Sequence, residues 1–346
     1  MARQHFDPIQ WPLDAASPDE IPDAPVDLDI DGDSGIGSDV EGSTASLSSS
    51  VLRHQYENGR RYHGYRAGQY VMPNDEREQE RLDFKHHVDL MVLKGELYRA
   101  PIGDDPRRIL DVGTGTGIWA IEMADKFPEA QIIANDLSAI QPRWVPPNLQ
   151  FEIDDCEQEW LYSQKFDFIH IRSMAGSIAD WPKLLSRAYD YLNPGGWVEV
   201  AEYETWTSTD DDSLPKTSAL YELNEVVNAA SVQIGRVMNV APHLEHWLRD
   251  AGFRSVSVEK TKVFWLHVKF RIGVLTCVQA ALSPWPSDTK EREIAVFMQQ
   301  AMLESIEPYS LALLTRVLGW EPARAQLLLA RTREDLGNLD YHIHTT

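Results

Sequence analysis

The run Ile109-Leu-Asp-Val-Gly-Thr-Gly-Thr-Gly-Ile-Trp119 constrains this chain more than any other stretch. An apolar segment breaks into alternating glycines and then resumes as an amphipathic one, which predicts a strand, a tight turn and a helix. Gly113, Gly115 and Gly117 carry no Cβ, so the backbone can take φ angles that other residues avoid and a ligand can come close to it. The residues around the turn decide which ligand that is.

Outward from the turn, apolar strands and helical segments alternate. Strands are predicted over Arg108 to Val112, Gln131 to Asn135, Leu149 to Ile153, Phe166 to Ile171 and Trp197 to Ala201. Helices are predicted over Gly117 to Lys126 and Pro182 to Leu192. Such alternation predicts an α/β fold with a doubly wound, mostly parallel sheet. Helical periodicity returns over Lys216 to Val237 and Pro242 to Ala251, and Arg254 to Val263 alternates like a strand. Residues 270 to 335 read as helical throughout, and Tyr341-His-Ile-His344 as a short last strand. Upstream, Pro73-Asn-Asp75 opens a helix expected to reach about Leu97. Its apolar stripe is Leu82, Leu90, Leu93 and Leu97, with His86 on the same face. The resulting division is a tail over 1–50, a helical cap segment over 51–106, the α/β core over 107–265 and a helical region over 266–346.

The tail is set apart by composition. Residues 1–50 hold eleven Asp or Glu against Arg3 alone, with Asp/Pro repeats and a Ser/Gly tract, which is the signature of disorder. They account for −10 of the formal charge of −22, leaving −12 for the remainder. Neither part holds a Lys/Arg cluster able to release counterions from a phosphate backbone, which disfavours direct nucleic-acid binding and anionic membranes. The start Met-Ala-Arg-Gln-His-Phe-Asp has neither a secretory nor a mitochondrial pattern, and no apolar run approaches membrane-spanning length, so a cytoplasmic or nuclear protein is expected. Cys156 and Cys277 match no metal or redox spacing and are expected to be reduced and buried. No His/Cys/carboxylate spacing calls for a metal.

The chemistry of the flanks narrows the ligand. A dinucleotide fingerprint places its third glycine three residues after the second, whereas Gly115 is followed by Thr116 and Gly117. Asp111, two residues before Gly113, would repel a pyrophosphate but suits a ligand with an ammonium group. Asp136, at the end of the next strand, can accept hydrogen bonds from both ribose hydroxyls. Asp154 and Asp155, after the third strand, are placed to accept from an adenine amino group. S-adenosylmethionine is a ligand with all three features. Thr114, Leu137 and His170 complete the expected cofactor-binding set of Asp111, Gly113, Gly115, Gly117, Asp136, Asp154 and Asp155.

With these residues in view, the chain resembles a Rossmann-like class I S-adenosylmethionine-dependent methyltransferase. The runs Leu110 to Ala120, Asp136-Leu-Ser, Gln141 to Pro147, Phe151 to Asp155 and Phe166 to Arg172 resemble the fungal LaeA-like group of secondary metabolism. The likeness covers about Tyr62 to Gly252. It implies that Asp111, Gly113 and Gly115 contact the methionine part of the cofactor, Asp136 the ribose and Asp155 the adenine. The segment Leu266 to Ile272 departs from the group's usual Pro/Gly/Trp-containing loop, and the group carries a longer last strand than the Tyr341-His-Ile-His344 expected here.

Methyl transfer from a sulfonium requires an aligned nucleophile, and much of its acceleration comes from proximity and desolvation. Where a base is needed, His170, Glu202 and Tyr203 lie near the ends of the fourth and fifth strands, with Arg172 as an orienting group. A small-molecule acceptor is expected in a pocket of Tyr62, Tyr70, His86, Arg172, Trp206 and the helices after residue 216. The competing reading is a nuclear regulator of secondary metabolism that works mainly through protein partners, with the acidic tail as a docking arm.

Overall fold

The computed structural model describes residues 54–64, 71–203, 207–209, 211–262, 274–279, 281–282, 284 and 286–345. The expected disordered tail, Tyr70 and Trp206 lie outside them.

Five strands rise from the sequence as expected: β3 (Arg108–Val112), β4 (Gln131–Asp136), β5 (Leu149–Ile153), β6 (Phe166–Arg172) and β7 (Leu192–Tyr203). With β9 (Ser257–Lys262) and β10 (Val274–Gln279) they form a seven-stranded sheet in the order β5-β4-β3-β6-β7-β10-β9. All its pairings are parallel. The order reverses between β3 and β6, and a crevice opens at their carboxyl ends, where open α/β sheets bind ligands.

Alternation along the strands separates the two faces of the core. Ile109, Ile132 and Phe168 point to one face and pack with Trp119 and Met123 of α2 (Ile118–Lys126). Leu110, Ile133 and Ile169 point to the other and meet Trp181, Leu184 and Leu185 of α3 (Trp181–Asp190) and Leu244 and Leu248 of α5 (Ala241–Asp250). Each such fully buried side chain contributes roughly 1.5–3 kcal/mol relative to exposure.

A helical layer lies beyond this core. It is built from α1 (Glu76–Val92), α4 (Ala219–Gln233), α6 (Thr289–Ala312) and α7 (Pro322–Gly337), packed around Val88, Leu220, Leu223, Leu314 and Leu329. A π-helical turn, Leu313–Val317, continues α6. Asp75 caps α1 by accepting from Glu78 N at 3.0 Å.

Several expectations fail locally. α1 stops at Val92, because the chain turns through Lys94 and Gly95, both at positive φ. Its buried positions are Glu78, Arg81, His86 and Asp89 together with Val88 and Val92, so the inward face mixes ions with apolar groups and is not the purely apolar stripe expected. Residues 274–279, read as helical, form β10, since β-branched spacing in Val274-Leu-Thr-Cys-Val278 fits a strand as well. The cap segment is not helical throughout, because β1 (His54–Glu57) and β2 (Arg60–His63) form a hairpin. The expected last strand exists as β11 (Ile343–Thr345), but it pairs antiparallel with β8 (Thr207–Thr209) outside the main sheet. Among the described residues no helix is long and apolar enough to cross a membrane.

Candidate active site

The crevice is organised by a register match. Asp111 on β3 and His170 on β6 are direct neighbours across the parallel pair, so their side chains emerge on the same face. Asp111 Oδ1 lies 2.7 Å from His170 Nδ1, and Asp111 Oδ2 accepts from Thr114 Oγ1 at 2.6 Å. The His170 ring stacks on Trp119 at 3.7 Å between centroids and 6° between planes. Trp119 is fixed in turn by its Nε1 donating to Leu97 O at 2.8 Å. Burial pushes the His170 pKa down, only partly opposed by Asp111, so the imidazole is neutral near pH 7 and shares its Nδ1 proton with the carboxylate.

The glycine turn follows at once. Gly113, Gly115 and Gly117 all have positive φ, and Gly117 leads into α2. A Cβ at Gly117 would collide with the Phe151 ring and one at Gly113 with the Met174 side chain. Asp136 closes the turn from β4, accepting from Gly115 N and Ser138 N, each at 2.8 Å. Burial raises its pKa to about 6, with its backbone hydrogen bonds pulling the other way. Gln141 donates to Gly115 O at 2.6 Å and Ser138 O at 2.9 Å, which ties the following loop to the turn. After β5, Asp154 Oδ1 accepts from Asp155 N at 2.8 Å and Asp155 Oδ1 from Glu157 N at 2.9 Å.

These groups line one cleft, which brings together Asp111, Gly113, Thr114, Gly115, Asp136, Leu137, Asp154, Asp155 and His170. Gly117 lies under the turn and is not part of the lining. His86 and Arg172 are on this cleft's wall and not on that of the second cavity.

A second cavity adjoins it, walled by α4, α6 and the end of β7. Arg81, Lys85, Ser173 and Tyr309 line both. Ser173 follows β6 with φ +55°, a conformation uncommon outside glycine, and so turns the chain between the two spaces. Glu202 and Tyr203 line the second cavity only. Glu202 is 2% exposed, and its Oε1 accepts from Met174 N at 2.6 Å. Burial pushes its pKa up to about 8.

The wall between the spaces is held by Asp89 of α1, a residue that sequence reasoning missed. Asp89 Oδ1 lies 2.5 Å from Lys85 Nζ and accepts from Tyr203 Oη at 2.5 Å, and Arg172 Nη1 is 3.3 Å from Oδ2. Burial opposes ionisation of Asp89, but Lys85 and Arg172 more than offset it and its pKa is lowered. The signal was present in the sequence, because Glu78, Arg81, Lys85 and Asp89 recur at three- and four-residue spacing on one helical face.

Three expected roles change with this placement. Tyr203 donates to Asp89, and burial raises its pKa well above the ordinary range. His170 is occupied by Asp111 and covered by Trp119, which makes it a support for Asp111. Tyr62 packs with Val71, Met72 and Leu313 and under the Arg316 guanidinium, away from the lining of both cavities. Cys156 is a buried free thiol beside the first cleft, whereas nothing is described of the Cys277 side chain. Among the described residues no group of three or more His, Cys, Asp or Glu side chains is placed to hold a metal ion.

Residues 84–258 match the family described as a methyltransferase domain. The chain is 40% identical over 318 residues to methyltransferase pytC of Aspergillus terreus, spanning 92% of each. It is 34% identical over 295 residues to the secondary metabolism regulator LAE1 of Cochliobolus heterostrophus, covering 83% of this chain and 91% of that one. A protein-methionine methyltransferase, laeA of Emericella nidulans, is 34% identical over 302 residues, covering 86% and 76%. With the parallel sheet and its glycine turn, these likenesses place the chain in the methyltransferase-domain family, as an S-adenosylmethionine-dependent methyltransferase.

Proposed function

We propose that the cleft at the ends of β3, β4 and β5 holds S-adenosylmethionine and that the adjoining cavity holds a small-molecule methyl acceptor. The observation that carries this reading is the shared wall, which sets an acid-lined cleft and a largely apolar cavity side by side at Ser173 and Tyr309. The donor set suits the cofactor. Asp111 faces an ammonium, Asp136 a ribose diol and Asp155 an adenine amino group, while a pyrophosphate would meet carboxylates at every strand end. Gly113, Thr114 and Gly115 let the backbone approach, and Asp154 and Leu137 complete the lining.

When bound, the cofactor supplies an electrophilic methyl group on a sulfonium. The chain's own part is to align and to exclude water. His170 and Thr114 hold the Asp111 carboxylate in one orientation. Glu202, at the end of β7, lies on the wall of the acceptor cavity. Burial raises its pKa to about 8, so its mainly protonated carboxyl orients an acceptor group by hydrogen bonding near pH 7. Its ionised fraction, which grows above pH 8, accepts a proton from an acceptor hydroxyl.

Calorimetric titration of S-adenosylhomocysteine into wild type and Asp111→Asn tests the cofactor site. Wild type is expected to bind and the variant to bind at least about tenfold more weakly, a loss of about 1.4 kcal/mol or more. Equal affinities would overturn the assignment.

A second reading rests on the relatives named as regulators of secondary metabolism. In it the fold acts chiefly through protein partners, with the acidic tail over 1–50 as the docking arm and a nuclear location. Incubating cell extract with methyl-labelled cofactor separates the two, because label in extractable small molecules supports the first and label confined to protein supports the second.

A further inference from the structure

We infer that the second cavity binds an uncharged, predominantly apolar, ring-bearing molecule, presenting one hydrogen-bonding group toward Glu202. The inference rests on reading the adjoining cleft as the cofactor site, and it names the acceptor class that site serves.

The lining fixes the polarity. Leu223 and Val227 of α4 face Met298, Met302 and Ile306 of α6 across the space, and Leu336 of α7 closes part of the wall. Two methionines in one wall adapt their unbranched side chains to flat ring systems and make favourable contacts with aromatic edges.

Charge is balanced around this space. Lys85 is paired with Asp89 at 2.5 Å, and Arg81 with Glu78 at 2.6 Å. Glu202 is held by the Met174 backbone amide and faces Lys85 and Asp89 of α1 and Tyr309 of α6. With its pKa near 8 it is mostly protonated at neutral pH, so it can both donate and accept without presenting a charge. An anionic ligand would have to break the Lys85 or Arg81 pair to find a counterion, and a cationic one would have to break the same pairs to reach Asp89 or Glu78. Besides Glu202, Asn224 and Asn228 of α4 and Ser305 of α6 bring uncharged polar groups to the lining.

A matched pair of fluorescent probes tests the inference on the full chain. N-phenyl-1-naphthylamine is neutral, and 8-anilinonaphthalene-1-sulfonate has the same ring system with an added sulfonate. The neutral probe is expected to bind saturably and at least tenfold more tightly than the sulfonate. Val227→Trp and Met302→Trp fill the space from opposite walls, and each is expected to weaken the neutral probe at least tenfold while S-adenosylhomocysteine affinity stays within twofold. That second titration reports that each variant is folded. Equal affinity for the two probes, no saturable binding of the neutral one, or unchanged binding in both folded variants would overturn the inference. Wild type that binds the neutral probe but not S-adenosylhomocysteine would overturn the cofactor reading while leaving the cavity assignment standing.

Discussion

Asp136 shows how a single residue can report on the cleft. Its carboxylate already accepts from two backbone amides, and burial still holds its pKa near 6. If the ionised form is what accepts from a ribose diol, affinity for S-adenosylhomocysteine is full above pH 6. It falls as pH drops below, by at most about tenfold per unit. Calorimetry from pH 8 to pH 5 should show this slope in wild type and its loss in Asp136→Asn, whose weaker binding should be flat with pH. Gly117 carries a structural demand at the same turn. Its φ of +84° and the Phe151 ring beside it leave no place for a Cβ. Gly117→Ala should cost roughly 2–4 kcal/mol in chemical denaturation, combining left-handed strain with overpacking.

At the scale of elements, α1 joins the two cavities through charge. Asp89 is 6% exposed and balances Lys85 and Arg172 while accepting from Tyr203. Asp89→Ala leaves two buried cations uncompensated and should cost about 3–5 kcal/mol. Tyr203→Phe removes one hydrogen bond and should cost about 1–2 kcal/mol, and denaturant midpoints will rank the two. This helix also marks the limit of what the sequence discloses. Strand and glycine-turn positions were legible because period-two alternation and alternating glycines are local signals. The pairing of Asp111 with His170 was not, because it depends on β3 and β6 being neighbours across 59 residues of sequence. The ions on the inward face of α1 misled for a related reason, since a stripe of leucines outweighs a stripe of ions unless the partner cation on β6 and the phenol on β7 are known. The hairpin β1–β2 was missed although Asn58-Gly59 is a strong hairpin signal, and both residues take positive φ. Its Arg60, bonded to Asp75 at 2.6 Å and Glu307 at 3.2 Å, then joins the cap of α1 to α6.

Across the whole molecule, the sheet and the helical layer each supply one side of the proposed reaction. The sheet edge carries the acids of the cofactor cleft, and α4, α6 and α7 carry the apolar cavity, with α1 contributing Arg81 and Lys85 to both. A ligand that settles α1 against the sheet from the first cleft therefore also orders a wall of the second, which lowers the ordering cost of the next binding event. Saturating S-adenosylhomocysteine should raise the affinity for N-phenyl-1-naphthylamine roughly fivefold, and by linkage the probe should raise S-adenosylhomocysteine affinity by the same factor. In Asp89→Asn, which loosens the ion pairs holding α1 to β6, both factors should shrink together toward one. Fluorescence titrations with and without the nucleoside, paired with calorimetry in the reverse order, measure the two arms. Factors below one in both orders would point to overlapping sites, whereas factors above one that survive Asp89→Asn would show that the coupling runs through Ser173 and Tyr309 instead of α1.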